Sequence, residues 1–295
     1  METPAPDFSI ITPSFNYGHY IGDCLESVAK QRGVTFEHLI FDAGSTDDTM
    51  EVISGFPDVQ VVQEKDNGMS DAINKGFAAA RGKWVMWLNA DDLLKPGALK
   101  AILTFAEDTD YDVVYAGWDF VDEERKFKRR MTVFPFRRKA HCYLVCYIAS
   151  TSAFYRRETV INEGYFLNKD FRYVMDGEFY NRLASKGKKF GYLHAVIADF
   201  RLHGGNLSLR HRNKENRSAS EELERQKQFA ESVSIIRCYG QQKIDSPPLV
   251  WLVDGALVFL YRIQKFFLKR FYGWFFKTIP LENPECEREE NDSPE

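Results

Sequence analysis

Across the first 120 residues, short apolar runs alternate with stretches whose apolar residues recur at helical spacing, and few folds accommodate that rhythm. Phe8–Thr12 (FSIIT), Glu37–Phe41 (EHLIF), Val59–Gln63 and Trp84–Leu88 are short and rich in β-branched or aromatic residues, so they predict strands. Ile21, Cys24, Leu25 and Val28 fall on one helical face and predict the first crossover helix. Helices at roughly 47–54, 70–80 and 96–107 follow, with Pro96 in the first turn of the last, and Val113–Gly117 predicts another strand. Strand–helix–strand units of this kind build a mainly parallel sheet, an α/β fold.

Beyond residue 120 the alternation loosens. Arg125–Lys139 carries eight basic residues and no acid, which suits either an anionic lipid or phosphorylated acceptor or a solvated face. A helix is expected near Gly177–Ser185 and a strand at Phe190–His194, and the charged stretch 209–240 predicts an exposed helical arm. Leu249–Lys277 then holds six phenylalanines interrupted by Arg262, Lys265, Lys269 and Arg270. Its basic residues gather on one side of a helical wheel, as in a helix lying in a membrane interface or one packed on protein with its basic ends snorkelling. The stretch 281–295 is acidic and proline-bearing and is expected to be disordered.

Composition excludes several functions. A net charge of −4 over 295 residues argues against a nucleic-acid binder. Five cysteines without a CxxC pair argue against a structural zinc site or a disulfide framework. METPAPDFSIIT lacks the basic and apolar regions of a secretory signal, so a cytoplasmic location is expected. No apolar run reaches the roughly 18 residues of a simple membrane-spanning helix.

Open α/β sheets bind ligands beyond the carboxyl ends of their strands. There the sequence places Thr12-Pro13-Ser14-Phe15-Asn16 after the first strand, Asp42-Ala43-Gly44-Ser45-Thr46-Asp47-Asp48-Thr49 after the second, and Asn89-Ala90-Asp91-Asp92 after the fourth. Each alone is an ordinary turn or helix cap. Together on one edge, their carboxylates suit a hard divalent cation that holds phosphates. Neither GxxxxGK[ST] nor GxGxxG follows a strand, so a P-loop or a Rossmann dinucleotide site is not supported.

These segments, with EKDNGMSDAINKGFAAARGKWVMWLNADD, resemble the family 2 glycosyltransferases of the GT-A fold over most of residues 8–208. The resemblance implies an inverting transfer of a sugar from a nucleotide-sugar donor, with a UDP-sugar as the family's usual donor, to an acceptor hydroxyl of a glycan or lipid-linked substrate. It divides the chain into a catalytic domain, 1–208, with a donor half to residue 120 and an acceptor half from 121. A helical extension, 209–280, and the acidic tail follow.

Residue by residue, the resemblance implies that Pro13 and Phe15 line the base pocket, Asp42 accepts a hydrogen bond from the base, and Asp91 lies by the ribose. Asp92 is the implied ligand of Mn2+ or Mg2+, in a motif whose first acidic position is Asn89. Asp71 is the implied donor contact of its helix; otherwise it caps that helix and braces the sheet. Asp176, ahead of a helix containing Arg182-Leu183, is the implied general base, or else an N-cap, with Glu178 as the alternative base. Arg182 suits a structural ion pair. His203, in the loop FRLHGGNLS, completes the metal shell, contacts the diphosphate, or is structural. A sugar-1-phosphate nucleotidyltransferase is the alternative enzyme, although TPSFNYG replaces its glycine-rich basic loop, and a non-catalytic nucleotide-sugar binding module is the third reading.

Overall fold

The computed structural model describes residues 4–131, 133–143, 146–206 and 219–239. The amphipathic stretch 249–277 and the acidic tail therefore lie outside the described residues.

The expected parallel strands form one side of a nine-stranded sheet: β1 (Phe8–Ser14), β2 (Phe36–Asp42), β3 (Val59–Gln63) and β4 (Trp84–Trp87), in the order β3-β2-β1-β4. All seven residues of β1 are buried, as a near-continuous apolar run between two parallel neighbours requires. Pro13 is tolerated there because β4 pairs only with Phe8–Ile11, so no partner on that side awaits an N–H from position 13. The two strands part at that point, and the crevice they leave is where open parallel sheets take their ligands.

Helix α1 (Gly18–Ala29) buries Ile21, Cys24, Leu25 and Val28, the four residues whose spacing predicts it. Helices α2 (Thr49–Ser54), α3 (Met69–Ala79) and α4 (Ala98–Ala106) follow as expected. Gly76 lets α3 sit close on β1: a Cβ at that position would come within 2.4 Å of Ile11 Cγ2.

The sheet continues through the second half as β4-β8-β6-β9-β5. Here β5 (Leu93–Leu94) and β8 (Ala153–Arg156) are short, whereas β6 (Val113–Val121) and β9 (Phe190–Arg201) run parallel along nearly their whole lengths. Strand β7 (Phe127–Met131) pairs antiparallel with the end of β6 that β8 leaves open. Most of the basic stretch is this exposed edge and its turn, and much of its charge is already matched. Arg130 forks onto Asp119, Lys128 pairs with Asp122, Arg125 approaches Asp23, and Arg129 lies over the Phe120 ring. Charged residues on an open edge also discourage strand pairing with another chain.

Helices α5 (Arg138–Tyr143), α6 (Met175–Ser185) and α7 (Ala219–Tyr239) complete the described elements. The charged arm expected at 209–240 is not free: α7 packs on α6 through Ile235, which is buried, while Leu223 and Phe229 stay exposed.

Two buried histidines make the fold sensitive to acid. His38 on β2 shares a 2.9 Å hydrogen bond with Thr12 Oγ1, and burial pushes its pKa down to about 3; burial does the same to His141. Both stay neutral in the native state, whereas the unfolded chain takes up protons below about pH 6.5. Their stabilisation is complete above that value and is lost as pH falls towards 3. For His38 alone the loss is about 2 kcal/mol by about pH 5. Urea unfolding at about pH 7.5 and pH 5 checks this: the pH dependence should flatten in His38→Gln, and an unchanged slope would remove His38 from the account.

Candidate active site

The loops after β1 and β2 hold each other in place. Asn16 adopts a left-handed conformation (φ 56°) that asparagine tolerates well, and its side-chain carbonyl accepts the Thr46 N–H at 2.8 Å. Ser45 Oγ accepts the Asn16 N–H at 2.7 Å, Thr49 Oγ1 the Tyr17 N–H at 2.9 Å, and Asp47 the Gly18 N–H at 3.0 Å. The polar run Ser45–Thr49 is thus a clasp on the first loop. Beneath it, Asp42 is buried and accepts hydrogen bonds from Gly44 N–H at 3.0 Å, Ser45 N–H at 2.8 Å and Ser45 Oγ at 2.5 Å. Asp42 itself lines neither of the two cavities at this edge of the sheet.

Above this clasp lies a pocket of about 610 Å3 lined by Pro13, Phe15, Tyr17, Gly44, Thr46 and Lys65 among others. The Phe15 ring is 54% exposed, far more than an aromatic side chain needs for packing. Pro13, Tyr17 and Met69 also line a second, smaller cavity of about 140 Å3, which Asn89, Asp91, Arg172, Tyr173 and Asp176 help to wall. The two form adjoining compartments at the carboxyl edge of β1 and β4.

The tight turn after β4 gives its two acids different surroundings. Asp92 is buried and fully engaged: Thr151 Oγ1 donates at 2.6 Å, Asn89 Nδ2 at 3.1 Å and the Arg201 N–H at 3.0 Å. Burial, and then the Asp91 charge beside it, push its pKa up. Asp91 instead lines the smaller cavity. Its Oδ2 accepts from His203 Nε2 at 2.7 Å and from Asn206 Nδ2 at 3.2 Å. The Gly205 N–H donates to His203 Nδ1 at 3.1 Å, which assigns the ring proton to Nε2 and aims it at Asp91. Asn206 Oδ1 accepts the His203 N–H at 2.7 Å, and the Tyr20 ring lies 4.7 Å from the imidazole. Asp92, the metal ligand expected from the sequence, already accepts hydrogen bonds on both oxygens beneath the turn. Asp91 presents its carboxylate to the cavity, and His203 can offer a nitrogen there only by giving up the Nε2 proton it shares with Asp91.

This pair suits a hard cation of the Mg2+ or Mn2+ type, which takes one or two protein ligands and completes its shell with substrate phosphates and water. Among the described residues no cluster of three or more His, Cys, Asp or Glu side chains forms a metal cage, so these residues alone do not saturate such an ion.

Asp176 stands at the second position of α6 and also lines the smaller cavity. Its Oδ1 accepts the Gly177 N–H at 2.8 Å, and the Cys146 thiol lies 3.8 Å from its Oδ2. Burial raises its pKa above the usual carboxylate value. Glu178, the alternative base, is occupied by its partners: Arg182 forks onto both its oxygens at 2.8 and 3.1 Å, and Tyr239 donates at 2.6 Å. Asp71 is also occupied, holding Lys169 and the Asn67 N–H, with Lys75 3.7 Å away. Lys169 above all keeps its pKa low. It lines neither compartment, and its geometry favours the brace over the donor contact.

Sequence reasoning missed Tyr17, Lys65, Arg172 and Tyr173 as wall residues. Tyr17 and Lys65 lie inside quoted segments, Tyr173 opens the base segment and Arg172 directly precedes it, so membership of a motif is the signal that would have found them.

This site sits on a recognisable scaffold. The chain matches the family model for Glycosyl transferase family 2 over residues 9–164. It is 32% identical over 209 residues to a PGL/p-HBAD biosynthesis glycosyltransferase of Mycobacterium bovis, covering 68% of this chain and 79% of that one. Its fold is similar to that of S. aureus TarS 1–349 solved with UDP-GlcNAc, with a TM-score of 0.62 and 17% identity over 92% of this chain and 76% of that one. It is also similar to the mannosyltransferase PcManGT of Pyrobaculum calidifontis solved with GDP-Man and Mn2+, with a TM-score of 0.54 and 17% identity over 90% and 84% of the two chains. With the parallel donor-side sheet, the acidic turn after β4 and a family match across more than half its length, the chain belongs to glycosyl transferase family 2 and has the GT-A fold.

Proposed function

We propose that the chain moves a sugar from a UDP-sugar donor to an acceptor hydroxyl with inversion, using a divalent cation, Mn2+ or Mg2+, held by Asp91, with His203 joining it once the Nε2 proton shared with Asp91 is given up. One observation carries this reading: Pro13 from the end of β1, Asp91 from the turn after β4, and Asp176 from the start of α6 line the same cavity. The adjoining pocket offers the exposed Phe15 ring as a stacking surface for the base, with Asp42 beneath it. The diphosphate then falls towards Asp91 and His203, and the sugar enters the smaller cavity.

Bound there, the cation would offset negative charge growing on the departing diphosphate. Asp176 accepts the proton of the acceptor hydroxyl as its oxygen attacks the anomeric carbon. The bond from that carbon to the diphosphate oxygen breaks on the opposite face, so configuration inverts and no glycosyl-enzyme forms. Burial makes Asp176 a stronger base than a surface carboxylate, which suits the task.

We further propose a glycan or lipid-linked acceptor of polysaccharide, lipopolysaccharide or glycolipid biosynthesis, met at the inner face of a membrane. The biosynthetic role in the Mycobacterium bovis relative's name and the basic-aromatic sequence of Leu249–Lys277 support this. No helix among the described residues is long and apolar enough to cross a membrane.

Nucleoside diphosphate release from UDP-, GDP- and dTDP-sugars, with Mn2+, Mg2+ or EDTA and with membrane extract as acceptor, tests the reading. Release from a UDP-sugar that stops in EDTA is the expected result. Release from GDP- or dTDP-sugars alone would overturn the nucleotide, and release that persists in EDTA would overturn the cation. Donor binding without release would favour a nucleotide-sugar binding module.

A further inference from the structure

We propose that Glu231 of α7 is a positioning residue for the catalytic base, capping from a distance the helix that carries Asp176. The inference rests on Asp176 being the base. Helix α6 begins without a cap of its own: its N-cap residue is Val174, whose hydrocarbon side chain accepts nothing. Glu231 instead holds the segment that leads into the helix. Its Oε1 accepts the Arg172 N–H at 3.1 Å, and its Oε2 accepts those of Tyr173 at 2.8 Å and Val174 at 3.2 Å. Three successive backbone donors converge on one carboxylate at the positive end of α6, the arrangement that helix N-termini offer to anions.

The contact is part of a continuous stripe. Glu231, Ile235 and Tyr239 are spaced four residues apart and share one face of α7. Ile235 Cδ1 lies 3.5 Å from where a Cβ on Gly177 would stand, next to Asp176, and Tyr239 Oη donates to Glu178, the next residue of α6. The capped segment is itself part of the cavity wall, since Arg172, Tyr173 and Asp176 all line it. Releasing Glu231 would free three backbone N–H groups together and let the first turn of α6 fray. Asp176 would then lose its aim at the acceptor hydroxyl, while the donor pocket, built from the loops after β1 and β2, keeps its shape.

The test measures kcat, UDP affinity and Tm for Glu231→Ala, Glu231→Gln, Tyr239→Phe and Asp176→Asn, with kcat read on the donor that the wild type turns over. Glu231→Ala should lower kcat by about 10- to 100-fold, the range expected when a reacting group is slightly misplaced, with the nucleotide part of donor binding, read as affinity for UDP, unchanged. Glu231→Gln keeps one acceptor oxygen, enough for the Tyr173 and Val174 N–H groups but not for that of Arg172, and should recover part of the loss. Tyr239→Phe weakens the same docking face away from the capped segment, so it should lower Tm while holding kcat within about twofold. Equal kcat losses in Glu231→Ala and Tyr239→Phe at matched loss of Tm would reduce Glu231 to a general structural role and overturn the proposal. Wild-type kcat in Glu231→Ala, with turnover abolished in Asp176→Asn, would overturn it alone and leave the base in place. Full turnover in Asp176→Asn, or no donor turned over by the wild type, would overturn the base reading and this inference with it.

Discussion

Asp176→Asn should bind the donor as the wild type does and turn it over about 100- to 10,000-fold more slowly, the range a positioned general base contributes. The substitution is nearly isosteric. Its amide oxygen can still accept the Gly177 N–H that holds the side chain at 2.8 Å, so the start of α6 should keep its geometry. What disappears is the ability to take a proton. Calorimetric titration of donor, beside initial rates of nucleoside diphosphate release, separates the two effects. A parallel Glu178→Gln variant sharpens the assignment. Because Glu178 is locked onto Arg182 and Tyr239, its loss should appear mainly in Tm, with kcat affected far less than in Asp176→Asn. The pH profile carries a further signature: burial raises the Asp176 pKa, so the acid limb of kcat/KM should fall above the ordinary carboxylate range and vanish in the variant. Turnover in Asp176→Asn close to wild type would sink the base assignment.

The donor half was legible in the sequence because its signals are local. Strands β1, β2 and β4 are buried nearly throughout and therefore read as unbroken apolar runs, and α1 declares its buried face in Ile21, Cys24, Leu25 and Val28. Other strands were hidden for physical reasons. Strand β7 is an open edge with little burial, so FKRRM reads as a charge run, and its ion pairs with Asp119 and Asp122 lie across a hairpin. Strands β5 and β8 span only Leu93–Leu94 and Ala153–Arg156, too short for any period to appear. The site divides in the same way. Its carboxylates could be named, but which of two adjacent acids faces ligand depends on partners far along the chain: Thr151 and Arg201 claim Asp92, and His203 and Asn206 meet Asp91. The same holds for Glu231, whose partners at 172–174 lie some sixty positions earlier and whose helix otherwise looks like a solvated arm.

That reassignment yields the second large effect. Asp91→Asn should lower kcat/KM by about 100- to 1,000-fold at fixed Mn2+, as expected when stabilisation of a leaving anion is impaired, and should move the Mn2+ activation curve to higher concentration. Asp92→Asn should leave that curve in place and lower Tm instead. An asparagine has one acceptor oxygen, whereas Asp92 uses both of its own for Thr151, Asn89 and Arg201 in a buried setting. His203→Ala should shift the activation curve in the same direction as Asp91→Asn, because His203 Nε2 holds Asp91 Oδ2 at 2.7 Å and so sets how that carboxylate meets a cation. Manganese paramagnetic resonance with UDP present reads the site without turnover: free Mn2+ signal should persist in Asp91→Asn and be quenched in Asp92→Asn. The reverse pattern, with binding lost only in Asp92→Asn, would return the ligand to Asp92. It would also require the Thr151 and Arg201 contacts to open when the donor arrives, a rearrangement that a partner so deeply buried makes costly. Because the cation and the diphosphate are expected to share a coordination shell, the Asp91 effect should also grow as donor concentration falls, whereas a purely structural loss at Asp92 should not.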